Sequence, residues 1–327
     1  MDGVIGALAP PERSEAARRL HCPAVNVSNA EAKSSFPRVI SDDRQVGVMV
    51  AEHFLDCGFK QFAFVGRDGR RFSCQREEGF RQRLAQDGHI CLAPPPPPLF
   101  TPAWADHALA PWLARQSFPL AVMGTNDGWA RHVIDAANLN DLRVPDDVAV
   151  VGVDNDEVQC ELSDLPLSSV EIATDRIGYE AAALLDRLMT STPSQRQQIQ
   201  VPGPIPPKGI VLRESSDIFA VEDPDVAQAM SFIRQHAHEP LLVADVVAEV
   251  GAGVRSLQMR FRKSTGRTMS QEICNAHVQR AKQLLRDTDW PMLRVALASG
   301  FTGAERLSVV FRREVGITPT RYRKQFR

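Results

Sequence analysis

The sequence predicts two domains of unlike class: an α/β domain built on a parallel sheet, then an all-α domain carrying one helix–turn–helix unit twice. Three observations predict it. Short, nearly continuous apolar runs alternate with amphipathic stretches in the first part of the chain, and that pattern stops at Asp223. Beyond it, apolar residues recur at helical spacing only. Within this second part, the segment opening at Gly253 returns 50 residues later at Gly303. A chain of 327 residues has room for more than one domain, and 43% hydrophobic with 24% charged residues supplies ample core.

The apolar runs at residues 2–8, 23–27, 60–66, 119–124 and 147–154 are expected strands, apolar on both faces as in a parallel sheet covered by helices. Residues 43–59, 76–88, 127–141 and 175–191 have helical spacing, most with Gly or Asn near their ends. Alternation of the two implies a doubly wound sheet. Residues 193–209, rich in proline and glutamine, are an expected loop. The run Pro94–Pro98 is an expected polyproline II segment, a stiff surface loop rather than a ligand for an aromatic groove. Helices are then expected over 223–237, 241–250, 254–265, 269–287, 292–300, 304–315 and 319–326. The boundary falls within 214–223, which gives domains 1–216 and 223–327.

Composition narrows the function. No apolar run approaches the roughly 18 residues of a membrane span, and no signal peptide opens the sequence, so a cytoplasmic protein is expected. Cys22, Cys57, Cys74, Cys91, Cys160 and Cys274 show no C-x-x-C spacing, which fits reduced thiols and no metal site. His236 and His238 lack partners at ligand spacing, and a solvated helix face explains them. No cofactor motif is present. A phosphate-binding G-x-x-x-x-G-K-[ST] loop and a G-x-S-x-G elbow are both missing, so an enzyme is not expected. A sugar-modifying enzyme on the same fold is the competing class.

The net charge of −2 conceals an asymmetry. From Glu222 onward 17 Lys and Arg face 11 Asp and Glu, a balance of +6; subtracting from the totals of 38 and 40 leaves 21 against 29 before it, a balance of −8. A basic end on an acidic body points to a polyanion partner for the end.

The repeat says which polyanion. Overlaid, Gly253, Leu257, Phe261, Arg262, Lys263, Gly266 and Thr268 meet Gly303, Leu307, Phe311, Arg312, Arg313, Gly316 and Thr318. Each copy is a short helix, a glycine-containing turn and a second helix, the arrangement whose second helix enters a DNA major groove. Leu257 with Phe261, and Leu307 with Phe311, are expected buried stripes. Arg255, Ser256, Gln258, Met259 and Arg262 then face outward or flank in the first copy, and Glu305, Arg306, Ser308, Val309 and Arg312 in the second. Arginine and glutamine near a helix start suit guanine and adenine edges. Arg262, Lys263, Arg312 and Arg313 come later and suit phosphates, which position without specifying sequence. Two units joined by one helix suit successive grooves of double-stranded DNA. A helical bundle with basic solvent faces is the blander alternative.

These residues carry a family resemblance. Residues 298–323, ASGFTGAERLSVVFRREVGITPTRYR, resemble the signature of AraC-type DNA-binding domains. Leu307 departs from it, since phenylalanine is commoner there, and Gly253 and Gly303 replace the more usual Ser-type cap, a weaker but acceptable choice. The resemblance implies base-reading roles for Arg255, Gln258 and Met259 and for Glu305, Arg306 and Val309.

The first part resembles a LacI/GalR-type effector domain, a fold like that of periplasmic sugar-binding proteins. QREEGF at 75–80, TNDGWA at 125–130 and VGVDNDE at 151–157 carry the resemblance, and it implies sugar contacts at Arg76, Asn126, Asp127 and Asp154. An arginine fork, a carboxylate and an amide suit vicinal hydroxyls, and open α/β sheets bind ligands at the carboxyl ends of strands. The alternative for the Asp and Asn residues is helix capping. The sequence 154–156 lacks the glycine and distal glutamate of a calcium loop.

The two domains in this order resemble a family of sugar-operon activators. That resemblance implies a DNA-binding regulator, most often an activator, answering to a pentose (xylose foremost, another sugar as the alternative), working as a homodimer and able to engage RNA polymerase. In that family a further strand–helix–strand–helix stretch precedes the strand matched by residues 2–8. The first expected strand would then lack a neighbour, and a protein begun at Met1 is expected to associate through that edge.

Overall fold

The computed structural model describes residues 2–8, 11–66, 69–95, 105–161, 165–196, 198–218, 220 and 223–326; the polyproline run lies outside them beyond residue 95. The chain divides into two compact units, Met1–His53 with Lys60–Asp217, and Phe54–Phe59 with Ile218–Arg327.

The first unit runs β1 (Val4–Gly6), α1 (Pro11–Arg19), β2 (Ala24–Asn26), α2 (Asp43–Asp56), β3 (Gln61–Val65), α3 (Arg71–Gln86) and β4 (Cys91–Leu92). A π-helical turn at Ala105–Leu109 leads into α4 (Ala110–Leu113). Next come β5 (Leu120–Gly124), α5 (Asp127–Asn138), β6 (Val148–Val153), α6 (Glu157–Glu161), β7 (Ser168–Glu171), α7 (Thr174–Thr190), α8 (Pro193–Arg196) and β8 (Gly209–Val211). All five expected strands form, but in two sheets rather than one. β1 and β2 make a parallel pair; the others make a six-stranded sheet in the order β4-β3-β5-β6-β7-β8, parallel except at β8.

β3, β5 and β6 carry the large core because their apolar residues face both ways. Ala63, Val65, Val122, Val148 and Val150 pack with Ala130, Val133, Ile134 and Ala137 of α5, all at most 2% exposed. β1 is less covered than its sequence suggests, with Ile5 42% exposed, because it pairs with β2 alone among the described strands. β7 escaped notice because two of its four residues are serines. Ser168 and Ser169 are wholly buried, their hydroxyls bonded to the Arg213 carbonyl and the Asp127 carboxylate.

In the second unit α9 (Pro224–Gln235), α10 (Val243–Val250), α11 (Val254–Thr265), α12 (Met269–Asp287), α13 (Met292–Leu297), α14 (Ala304–Val315) and α15 (Pro319–Phe326) follow the expected helices closely. α13 stops three residues short of Gly300. Its end tightens instead: Ser299 N–H bonds the Ala296 carbonyl, and its hydroxyl bonds back to Val295 at 2.6 Å. Two separate cores form. Val246, Leu257, Phe261, Met269 and Ile273 belong to one; Val295, Leu307, Val310, Phe311 and Tyr322 belong to the other with the later turns of α12.

The repeat holds at backbone level. Gly266 and Gly316 take the left-handed conformation, φ +73° and +81°, and each N–H bonds the arginine carbonyl four residues back, Arg262 or Arg312, at 2.9 Å. Glycine adopts that conformation without a Cβ penalty. Thr268 and Thr318 then cap the following helices through N–H bonds from Gln271 and Arg321, both 3.3 Å. Among the described residues no helix is long and apolar enough to cross a membrane.

α2 and α3 cross at bare backbone. A Cβ on Gly47 would lie 2.0 Å from the Arg76 carbonyl oxygen, and one on Gly79 2.0 Å from that of Arg44. Gly79→Ala should therefore lower unfolding free energy in urea by about 1–3 kcal/mol through overpacking. Gly178, inside α7 with nothing within 4 Å of its missing Cβ, should do the opposite. Alanine there is expected to stabilise by about 0.5–1 kcal/mol.

Candidate functional site

α3 begins at Arg71, which puts Arg76 in its second turn beside the carboxyl ends of β5 and β6. Its side chain is 5% exposed. Nε donates to Asp43 Oδ1 at 2.8 Å, Nη1 to the Thr125 carbonyl at 2.5 Å and Nη2 to Asp154 Oδ1 at 3.4 Å. The Phe72 ring lies 5.2 Å from the guanidinium carbon. Asp43 opens α2, where the helix dipole favours its negative charge. Its other oxygen accepts from Asn29 Nδ2 at 2.7 Å, and that nitrogen also donates to Gln75 Oε1 at 2.7 Å.

Sequence reasoning did not single out Asn29, Asp43, Gln75 or Thr125. Asp43 was the findable one: a buried arginine needs a carboxylate, and Asp43 starts an expected helix. Around this network three buried side-chain oxygens have no hydrogen-bond partner among the described residues: Asn29 Oδ1, Thr125 Oγ1 and Asn155 Oδ1.

Asn126 caps α5, accepting the Trp129 N–H at 3.1 Å, so the capping alternative is realised there. Its Nδ2 makes no hydrogen bond among the described residues. It lines a crevice of about 570 Å³ with Trp129, Arg131, His132 and Gln159, which neither Arg76 nor Asp154 reaches.

Asp127 lies beneath the site rather than facing it. It is 2% exposed, with Oδ1 accepting from Ser169 Oγ at 2.5 Å and Oδ2 from the Asp156 N–H at 2.8 Å. Burial pushes its carboxyl up to about 6, against those two bonds, which favour ionisation.

Asp154 and Asn155 sit on left-handed backbone, φ 106° and 51°. Such residues cost about 1–3 kcal/mol each and need surrounding support. Three bonds supply it: Asp154 N–H to the Val170 carbonyl at 3.0 Å, Asn155 N–H to Ser169 Oγ at 3.0 Å, and Asp156 N–H to Asp127. The Asp154 side chain keeps 49% exposure at the mouth of the network. Crowding by the protein raises its carboxyl above the ordinary range, and Arg76 opposes that. A fixed cation, a half-open carboxylate and unmatched oxygens are groups of the kind that can pair with vicinal hydroxyls. Among the described residues no group of His, Cys, Asp and Glu could hold a metal ion.

In the second unit, hydrogen bonding sorts the cations. Arg260 is bound to Asp223 at 2.9 Å and Asp225 at 2.6 Å, and Arg323 to the Trp290 carbonyl at 2.8 Å. Arg294 stacks over Trp290 at 3.8 Å. The side chains of Arg255, Gln258, Arg262, Lys263, Arg306 and Arg312 are exposed and make no hydrogen bond or ion pair among the described residues. Ser256, Met259, Glu305, Ser308 and Val309 are exposed beside them. Arg313 is the exception in the expected set, held by Glu314 at 2.6 Å and bonded to Cys274 Sγ at 3.6 Å. Its repeat counterpart Lys263 is free. Arg255, Gln258, Met259, Arg262 and Lys263 line a concavity of about 760 Å³ against the capped start of α12. Such an array of uncompensated donors on a helix suits a nucleic-acid surface.

Comparisons with known proteins agree with both units. Residues 51–216 match the model of a periplasmic binding protein-like domain, and 246–325 that of a helix-turn-helix domain. The xylose operon regulatory protein of Escherichia coli K12 is 30% identical over 331 residues, covering 98% of this chain and 83% of its own. That of Haemophilus influenzae is 28% identical over 332 residues, 99% of this chain and 85% of its own. A solved xylose-binding transcription activator superposes with TM-score 0.59 at 26% identity, covering 99% of this chain and 86% of that one. A LacI-family regulator from Enterococcus faecium, solved with bound ribose, shares the fold at TM-score 0.53 and 19% identity, covering 66% of this chain and 79% of its own.

Asp127 offers a test of the bracket. Its carboxyl is raised from 3.8 to about 6 on folding, so between those values the folded chain holds a proton that the unfolded chain has released. Stability from this group is present at low pH and lost as pH rises through about 6. The free-energy difference between wild type and Asp127→Asn, measured by urea unfolding across that window, should move in favour of the wild type on acidification. A flat difference would mean that Asp127 is not a buried proton acceptor.

Proposed function

Because the chain belongs to the family of xylose operon regulatory proteins, and so is a sugar-responsive transcriptional regulator of the AraC type, we propose that its effector is a pentose, xylose foremost, and that it activates sugar-catabolic genes from the cytoplasm as a homodimer. Residues 1–216 bind the effector and residues 223–327 bind DNA. It catalyses no reaction. The reading of the sugar site rests on one observation above all: three partnerless buried oxygens gathered around the Arg76–Asp43–Asp154 network.

The chemistry follows from that geometry. Nη2 of Arg76 meets Asp154 at 3.4 Å, long for a charge-assisted bond and open to replacement by a sugar hydroxyl lodged between them. One hydroxyl accepts from Arg76 while donating to Asp154, and its neighbours donate to Asn29, Thr125 and Asn155. Asp127 holds the loop from below, whereas Asn126 lines the neighbouring crevice and takes no part in this contact. Asn29 follows β2, while Arg76 and Asp154 belong to the six-stranded layer. A sugar there adds to a junction the two layers already share through Asn29 and Gln75, and its binding repositions the paired DNA-binding domains relative to RNA polymerase. On DNA, Arg255, Ser256, Gln258, Met259, Glu305, Arg306, Ser308 and Val309 face the bases. Arg262, Lys263 and Arg312 hold phosphates, and Arg313 contributes once released from Glu314.

Calorimetry of the whole chain against a panel of free sugars tests the effector. Xylose should bind most tightly, and Asp154→Ala should cost about 1–3 kcal/mol of that affinity through loss of an acceptor that the bound sugar covers. Unchanged titrations on a folded variant would remove Asp154 from the site. Gel-shift assays test the other end. Arg255→Ala should weaken specific binding by about 1–3 kcal/mol and relax preference at one base pair, while Arg312→Ala weakens all sequences alike and lowers the salt slope by about 1. Identical specificity changes in both variants would undo the division into base readers and phosphate holders.

A further inference from the structure

The two recognition helices offer the same four places to solvent. On α11 these are Arg255, Gln258, Met259 and Arg262, spaced i, i+3, i+4, i+7; on α14 they are Glu305, Ser308, Val309 and Arg312. The fourth place keeps its arginine in both. The first two exchange Arg for Glu and Gln for Ser, and the third is apolar in both.

That third place is unusual. Met259 is 70% exposed and Val309 64%. One exposed apolar side chain calls for no explanation. Here, though, exposure recurs in register. Leu242, Leu293 and Leu297 are also exposed, but their counterparts 50 residues away, Met292, Val243 and Val247, pack against the cores. Val254 has only an alanine, Ala304, as its counterpart. Met259 and Val309 are the one pair of large apolar residues exposed in both copies among the described residues. Met259 lies between Arg255 and Arg262 on its face, and Val309 between Arg306 and Arg312, none of which has a hydrogen bond or ion pair among the described residues. An apolar side chain gains nothing from phosphate, and the apolar feature a major groove offers is the thymine 5-methyl.

Glu305, one turn before Val309, makes no hydrogen bond or ion pair among the described residues. An ionised carboxylate only accepts, so guanine N7 and O6 repel it while the cytosine N4 amine suits it. Resting on the DNA-binding reading above, we infer that Met259 and Val309 are paired thymine readers, occupying the same place in two successive groove segments. Arg255 and Glu305 then make the segments differ, with guanine opposite the first and cytosine opposite the second.

The test begins with binding sites selected from random duplexes by the full chain, after which each thymine is replaced in turn by deoxyuridine, which lacks only the methyl. One thymine in each segment should prove sensitive, weakening binding about fourfold for the lost methyl contact. Met259→Ala should abolish the sensitivity in the first segment alone, and Val309→Ala that in the second alone. Glu305→Arg should turn the cytosine preference of the second segment into one for guanine and leave the first unchanged. Both side chains are exposed, so the variants should melt as the wild type does, and the deoxyuridine scan needs no variant. Uracil tolerated throughout, or a sensitivity that survives both alanine variants, overturns the thymine readers. An unchanged second-segment preference in Glu305→Arg overturns the cytosine assignment. If the chain retains no duplex even at low salt, the DNA-binding reading itself falls and takes this one with it.

Discussion

The buried guanidinium of Arg76 is the constraint that organises the first unit. With 5% of its side chain exposed it cannot be solvated by water, so the protein must satisfy it. It does so from three directions, with the start of α2, the end of β5 and the loop after β6. Removing one partner of such a buried pair typically costs about 3–5 kcal/mol because it leaves a buried charge uncompensated, so the arginine requires all three elements in place at once. The glycine crossing of α2 and α3 serves the same end, since it brings Asp43 and Arg76 within reach across bare backbone. The guanidinium is thereby oriented before any ligand arrives, and little ordering of it remains to be done.

The loop of Asp154 depends on a second layer. Its two left-handed residues are held by Asp127, Ser169 and the β7 backbone, none of which faces the ligand. A carboxylate buried for this purpose sits at the edge of ionisation, and burial is the cause. The family resemblance groups Asp127 with the contact residues; the packing gives it the supporting role.

In the second unit duplication is a matter of geometry as well as of sequence. Each recognition helix ends on a left-handed glycine and hands over to a threonine-capped helix. α12 contributes its first turns to one core and its later turns to the other, which makes it the rigid member between the two copies. With the scaffold repeated so closely, the differences are confined to exposed side chains. Among the described residues the first copy presents three unpaired cations and no acid on α11; the second presents unpaired Arg306 and Arg312 beside Glu305, with Arg313 held by Glu314.

The helices of the second unit, the repeat and β3, β5 and β6 of the large sheet were legible in the sequence because local periodicity dictates them. Leu257, Phe261, Leu307 and Phe311 lie where helical spacing puts them, and the exposed donors follow by exclusion. Arg76 was legible as a family position. That it pairs with Asp43, Thr125 and Asp154 was not, because those residues come from segments far apart in the chain, and a hydrogen bond leaves no periodic trace. β7 was invisible for a related reason: a strand with two buried serines shows no apolar pattern, and only the neighbouring strands reveal it. The division of the strands into two sheets, the engagement of Arg313 and the burial of Asp127 were likewise decided by packing. Sequence by itself determined which faces are apolar and which positions bear charge, since those depend on residue type and spacing alone. Tertiary structure decided which charges are already satisfied, because that depends on what distant segments bring within about 3 Å of them.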